Sequence, residues 1–333
     1  AARGLGDVYK RQLTLLHLSF VLVLLVPAVA VGQGEDWELP RTADGHPDLQ
    51  GVWANNNATP LERPPEWAGK ATLTAEELAE LQNAATEAVD EGDALFGDQL
   101  VLAAIKKTQA ESYDPSTGNY NQFWIADRDF NNRTSLVIEP ADGRIPPMTT
   151  SGQARQRMVS EYRGEHPADT YTDRPLSERC VTYGHPRLGA GYNSYYQLFQ
   201  SRDHVVIYME MNHDARVIPI DGTPPLDDNV RLWHGDSRGY WDGDTLVVTT
   251  TNYASHATFR GITSENMTVT ERFTRVGPQT LNYEVTIDDP TTYTNPWTVM
   301  IPLMGTTDAV YEYACHEGNY AMTSILAGAR NNE

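Results

Sequence analysis
Five side chains have types and settings suited to acid–base work: His213, Asp214, Asp236, Glu271 and His316. His213-Asp214 follows Asn212 at a turn between two expected strands, and a histidine beside a carboxylate is the arrangement of an oriented general base. The plainer alternative is an Asn-His turn in which Asp214 bonds the nearby backbone. His234-Gly235-Asp236-Ser237-Arg238 offers a metal-binding or substrate-orienting set, or a loop in which Arg238 meets a carboxylate. His316-Glu317-Gly318 lacks the second histidine that a zinc helix needs. Asp242-Gly243-Asp244 brings too few oxygens for calcium, which takes six to eight. No metal is therefore expected. There is no P-loop and no dinucleotide fingerprint, so no cofactor is expected either.

Glu271 stands apart because it interrupts the apolar series Met267, Val269, Phe273. Alternation along a strand carries it to the inner face, where an ionised carboxylate needs a cation or several donors. Arg216 or Arg238 could pair with it structurally, or it could project into a cavity and meet a ligand. Arg216, Arg238, Trp241, Tyr283 and Trp297 are the matching candidates for binding: two cations that can anchor a polar group and three aromatics that can cover an apolar body. Gly235-Asp236-Ser237 occurs in some esterases, but here it precedes a hairpin rather than a strand-to-helix turn.

The elements that must position these residues are mostly strands. Tyr240-Trp241, Asp242-Gly243 and Leu246-Val247-Val248 form a strong hairpin signal. Tyr195 to Gln200, His204 to Met211 and Asp214 to Ile220 read as strands, the second with apolar residues on both faces and so covered on both sides. Met267 to Arg275, Leu281 to Ile287 and Trp297 to Leu303 alternate cleanly. With about nine strands in near-consecutive antiparallel order, the meander is expected to close into a lipocalin-like barrel, with a two-sheet sandwich as the alternative. Asn319 to Arg330 reads as a closing helix.

Residues 33–180 read as an irregular N-terminal wrap and 181–333 as the β core. In the wrap, Thr74 and Glu77 form a capping box at the head of a helix, and Asp98 to Lys107 and Ser151 to Glu161 read as shorter helices. Arg133 to Pro140 and Arg144 to Met148 are expected to pair as a hairpin around Ala141-Asp142-Gly143. Gly51-Val52-Trp53 matches the G-x-W of a lipocalin first strand, although an ordinary buried tryptophan explains it as well.

At the start of the chain, residues 1–12 read as a sequencing-adaptor scar, from DVYKRQ, and 13–32 as a signal peptide that ends in small residues. A periplasmic or secreted location follows, with no stable membrane insertion after cleavage. The formal charge is −20; residues 1–32 hold three cations and one carboxylate, which leaves −22 on the rest. Such a surface disfavours nucleic acid and anionic membranes. An oxidising compartment allows Cys180 and Cys315 to form a disulfide, against the alternative of buried free thiols. Cys315 is placed on a strand face with Tyr311 and Tyr313.

Together SLVIEPADGRIPP, RPLSERC, HDARVIPIDG, GDSRGYWDGDTLVV, ERFTR and YEYACHEGNY resemble a widespread family of secreted bacterial proteins. The resemblance implies secretion and carries over no functional residue. Two function classes stay open: a β protein that binds a small, partly apolar molecule, and an enzyme with a His/Asp/Glu acid–base site at the barrel mouth. Convergence of His213, Asp236, Glu271 and His316 on one pocket is the geometry that favours the enzyme.

Overall fold
Period-two alternation from Tyr195 onward puts one set of side chains on each face of a pleated sheet. The computed structural model describes residues 37–88, 98–107, 127–255, 259–260 and 265–331. The expected adaptor scar and signal peptide lie outside the described residues. Among the described residues ten strands form one sheet: β1 (Gly51–Ala54), β2 (Val137–Glu139), β3 (Tyr195–Gln200), β4 (His204–Met209), β5 (Ala215–Pro219), β6 (Asp236–Asp242), β7 (Thr245–Thr251), β8 (Thr268–Gly277), β9 (Thr280–Asp288) and β10 (Trp297–Thr306). Their order is β5-β4-β3-β1-β10-β9-β8-β7-β6, with β2 beside β10, and every pairing is antiparallel.

Two consecutive meanders, β3–β5 and β6–β10, are joined by β1, which pairs with β3 on one side and β10 on the other. The irregular N-terminal region is therefore more than a wrap, since it supplies the strand that makes one sheet of two. Trp53 fixes that strand. It is buried, its indole N–H donates to the Leu49 carbonyl at 2.9 Å, and the Arg275 guanidinium lies 5.4 Å from its ring centre. Leu39–Glu333 is one compact unit.

The sheet is not closed into a barrel, because no ladder joins its edges β5 and β6. Pro219 in β5 has no N–H to offer a partner strand, which blunts that edge. The edges meet through side chains instead. Gly239 of β6 lies so close to β5 that a Cβ there would fall 2.8 Å from Ile220 Cγ2 and 3.2 Å from Ile218 Cγ2. The inner face carries Leu198, Val205, Ile207, Ile218, Leu246, Val248, Val269, Phe273, Leu281, Val285, Ile301 and Leu303, all buried in one cluster. The outer face of β3–β5 is open, contrary to the expected cover: Val217 is 62% and Phe199 46% exposed.

Three further expectations need correction. Arg133–Pro140 and Arg144–Met148 do not pair: the turn forms, with Gly143 N–H on Pro140 O at 2.9 Å, but β2 pairs with β10. Pro146 and Pro147 leave the return segment without the donors a ladder requires. The central hairpin turns one residue later than Asp242-Gly243, since Asp242 pairs with Thr245 and the two-residue loop is Gly243-Asp244. Only Gly243 has positive φ (59°), as expected for glycine at the first turn position. Cys315 lies in irregular chain, so the shared strand face with Tyr311 and Tyr313 does not exist.

Four α-helices occur among the described residues: α1 (Ala75–Ala88), α2 (Gln99–Lys106), α3 (Thr150–Glu165) and α4 (Ala321–Arg330). The capping box at α1 is complete, with Thr74 N–H donating to Glu77 Oε2 at 2.9 Å and Glu77 N–H to Thr74 Oγ1 at 3.2 Å. Cys180 and Cys315 are bonded, with their Cα atoms 5.6 Å apart, and no cysteine is free. Among the described residues no helix is long and apolar enough to cross a membrane.

Candidate functional site
β8 places Glu271 on the inner face between Val269 and Phe273, with no exposed surface. The charge is met from both meanders. Arg216 of β5 donates to both carboxylate oxygens, at 2.8 and 2.9 Å, and the Tyr283 hydroxyl of β9 donates to Oε1 at 2.7 Å. Arg238, the other candidate, does not reach it. β5 and β8 are far apart in strand order, so the bidentate pair spans the interior and ties one meander to the other.

His185 extends this cluster. Its Nε2 lies 2.5 Å from the Arg216 guanidinium and accepts from it, so the ring proton sits on Nδ1 and faces the Tyr253 hydroxyl at 2.8 Å. Burial, aided by the Arg216 cation, lowers the imidazole to about 4, so the ring is neutral at pH 7. Its 3.3 Å approach to Glu271 is accordingly not an ion pair. Burial raises the Glu271 carboxyl, but the Arg216 guanidinium outweighs it and holds it well below the usual carboxylate range. Burial likewise works against the Arg216 cation, and Glu271 more than offsets it. The group is closed to solvent, and its chemistry is to hold charge in place.

The remaining candidates occupy separate settings. Buried Asp214 accepts from the Thr182 hydroxyl at 2.9 Å, and the same hydroxyl lies 2.5 Å from His234 Nε2. Asp214 faces that same nitrogen at 3.3 Å, so it does not orient the ring from the far side as a catalytic relay requires. Asp236 is held by Arg238 at 2.5 Å and by the Leu226 N–H at 2.9 Å. Arg238 is further bonded to the carbonyls of Thr223 and Pro224, so both residues clamp the loop before β6. His213 and His316 face each other with ring centres 6.1 Å apart, and the carbonyl of Tyr313 lies 3.0 Å from His213 Nδ1. Trp241 stacks on His46 at 4.9 Å, and Trp297 is fully buried against Tyr293 and Phe259. No hydrogen bond or ion pair joins Glu271 to His213, Asp236 or His316 among the described residues. No set of three or more His, Cys, Asp or Glu side chains among them could hold a metal ion.

A cleft of about 370 Å³ opens elsewhere, beside the segment that carries His185. His185 turns inward while its neighbours Tyr183, Gly184 and Pro186 line the cleft. Leu61, Leu136, Leu188 and Phe259 give it an apolar wall, and Asp98, Arg128, Arg187 and Arg260 supply charge. Asp98 precedes α2 and accepts from the Leu61 N–H at 3.1 Å. Burial raises its carboxyl, against the pull of that N–H and of Arg128 and Arg260. Arg128 donates to the Asn57 carbonyl and lies against Gly191, where a Cβ would come within 2.9 Å of its Nη1. Arg187 donates to the Tyr192 carbonyl at 2.8 Å and lies over the Tyr183 ring at 5.1 Å.

None of these eight cleft residues was among the candidates read from sequence. They come from five separate stretches, and none carries a period or a motif. The one available hint was an arginine beside two glycines in His185-Pro186-Arg187-Leu188-Gly189-Ala190-Gly191. No protein-family model matches this chain, and neither a curated protein nor a solved structure does.

Proposed function
We propose that this is an exported binding protein whose cleft holds a small, partly apolar molecule. The observation that carries the reading is the cleft itself. At about 370 Å³ it lies in the range of small-molecule sites, and it combines an apolar wall with a few charged groups. The separation of His213, Asp236 and Glu271, each engaged in its own local contacts, favours binding over an acid–base enzyme. Export rests on the apolar segment at Leu13 to Val26 with its small-residue exit, and the disulfide suits an oxidising compartment.

The test is untargeted mass spectrometry of compounds extracted from the purified protein and from Ala190→Trp. Ala190 lines the cleft, so the indole fills space there without removing a core side chain. Compounds that copurify with the native chain are expected to be lost from the variant at unchanged circular dichroism. Equal retention by both proteins would place binding elsewhere.

A further inference from the structure
We infer that the cleft selects organic anions: molecules with an apolar body and a carboxylate, sulfonate or similar group. This rests on the binding reading above and adds the ligand's charge. Three arginines, Arg128, Arg187 and Arg260, line the cleft against one carboxylate, Asp98. That balance is opposite to that of the chain as a whole, whose formal charge is −20. A general surface field would repel an anion, so a local cluster of arginines marks the place where one is accepted.

The carboxylates behind the wall do not reverse this. Glu62 accepts from the Ile145 N–H at 3.0 Å and does not line the cleft. Asp129 lies within electrostatic reach of Arg128 and is likewise outside the lining. Asp98 offsets part of the charge of Arg128 and Arg260, and three arginines against one carboxylate leave the lining net positive.

A neutral donor completes the set. Thr59 lines the cleft, is 7% exposed, and its hydroxyl has no hydrogen-bond partner among the described residues. A buried hydroxyl left unpaired is unfavourable, and an anionic oxygen is an acceptor that satisfies it. Guanidinium groups suit the same ligand, because their planar N–H forks match carboxylate geometry. A cationic ligand would have Asp98 alone, already shared with the Leu61 N–H.

The experiment compares two probes of nearly the same shape, 8-anilinonaphthalene-1-sulfonate and its uncharged parent N-phenyl-1-naphthylamine, by fluorescence titration of the native chain. The sulfonate is expected to bind saturably and about tenfold or more tighter than the neutral amine, the worth of one charge-assisted hydrogen bond. Arg260→Gln, at an exposed position, should weaken the sulfonate by about tenfold and leave the amine within about twofold. Arg202→Gln, in the distant β3–β4 turn, should change neither. Ala190→Trp should remove both. Equal affinity for the two probes, or a sulfonate affinity indifferent to Arg260→Gln, overturns anion selection while the cleft stands as a site. If neither probe saturates, or Ala190→Trp leaves both unchanged, the cleft reading itself fails and the inference falls with it.

Discussion
Replacing Glu271 by alanine is the most informative single perturbation, because its cost follows from contacts on both meanders. The substitution leaves the Arg216 guanidinium in the core with only the neutral His185 ring to accept from it. It also strips the Tyr283 hydroxyl of its acceptor. Truncating one partner of a buried ion pair costs about 3–5 kcal/mol, and an orphaned buried hydroxyl adds about 1–3 kcal/mol. Against a total stability of about 5–15 kcal/mol the variant should be near the edge of folding. Equilibrium urea melts should place its midpoint at least about 1 M lower.

The control is Glu284→Ala on the next strand, where the side chain is half-buried on the opposite face across from Arg272. It should change stability by less than about 0.5 kcal/mol. A double replacement, Glu271→Leu with Arg216→Met, removes both charges and should recover most of the loss, since apolar groups often substitute for a buried pair at little cost. A loss below about 1 kcal/mol in Glu271→Ala, or a double variant as unstable as the single one, would refute the assignment of the pair as the tie between the meanders.

Acid should act on the same cluster. His185 is depressed in the folded state to about 4 from an ordinary 6.5, so the unfolded chain takes up the proton first. Its contribution is complete above about pH 6.5 and is lost as pH falls towards 4. Glu271 is also depressed, so its contribution is present above the ordinary value of 4.5 and is lost below it. Urea melts at pH 7, 5.5 and 4.5 should show stability falling throughout, and His185→Gln should flatten the slope between the first two. The disulfide closes a loop with a sequence separation of 135 residues. Thiol titration of the denatured, unreduced chain should find no free thiol, and reduction should lower stability by about 2–5 kcal/mol.

Where the chain obeys a period, its structure was legible. Strands β8, β9 and β10 follow from alternation, and so does the inward position of Glu271. The capping box of α1 was legible from Thr74 and Glu77 because the motif is local. Arg216 could be named as a partner for Glu271 only as one of two, since strand period says which face a residue takes and not which strand lies opposite. Within β5 the alternation holds but residue type misleads, because Val217 faces solvent while Arg216 turns inward. The failed hairpin at β2 was decided by Pro146-Pro147, which was visible, and by competition from β10, which was not.

The cleft escaped the sequence for a deeper reason. Its charged residues come from the start of α2, from the stretch before β2, from the loop before β3 and from the loop between β7 and β8. Loops carry no period, so only the sheet order can say which of them meet. That order depends on β1, a four-residue strand whose pairing with both β3 and β10 joins the two meanders. Once β1 is in place, the turn after it brings Asn57 to Arg128 and Leu61 to Asp98. The segment that anchors the buried Glu271 cluster through His185 then presents Arg187 and Leu188 to the same opening. The closed charge cluster and the open, arginine-lined cleft thus share one stretch of backbone. By anchoring His185, the first fixes the backbone from which Arg187 and Leu188 reach the second.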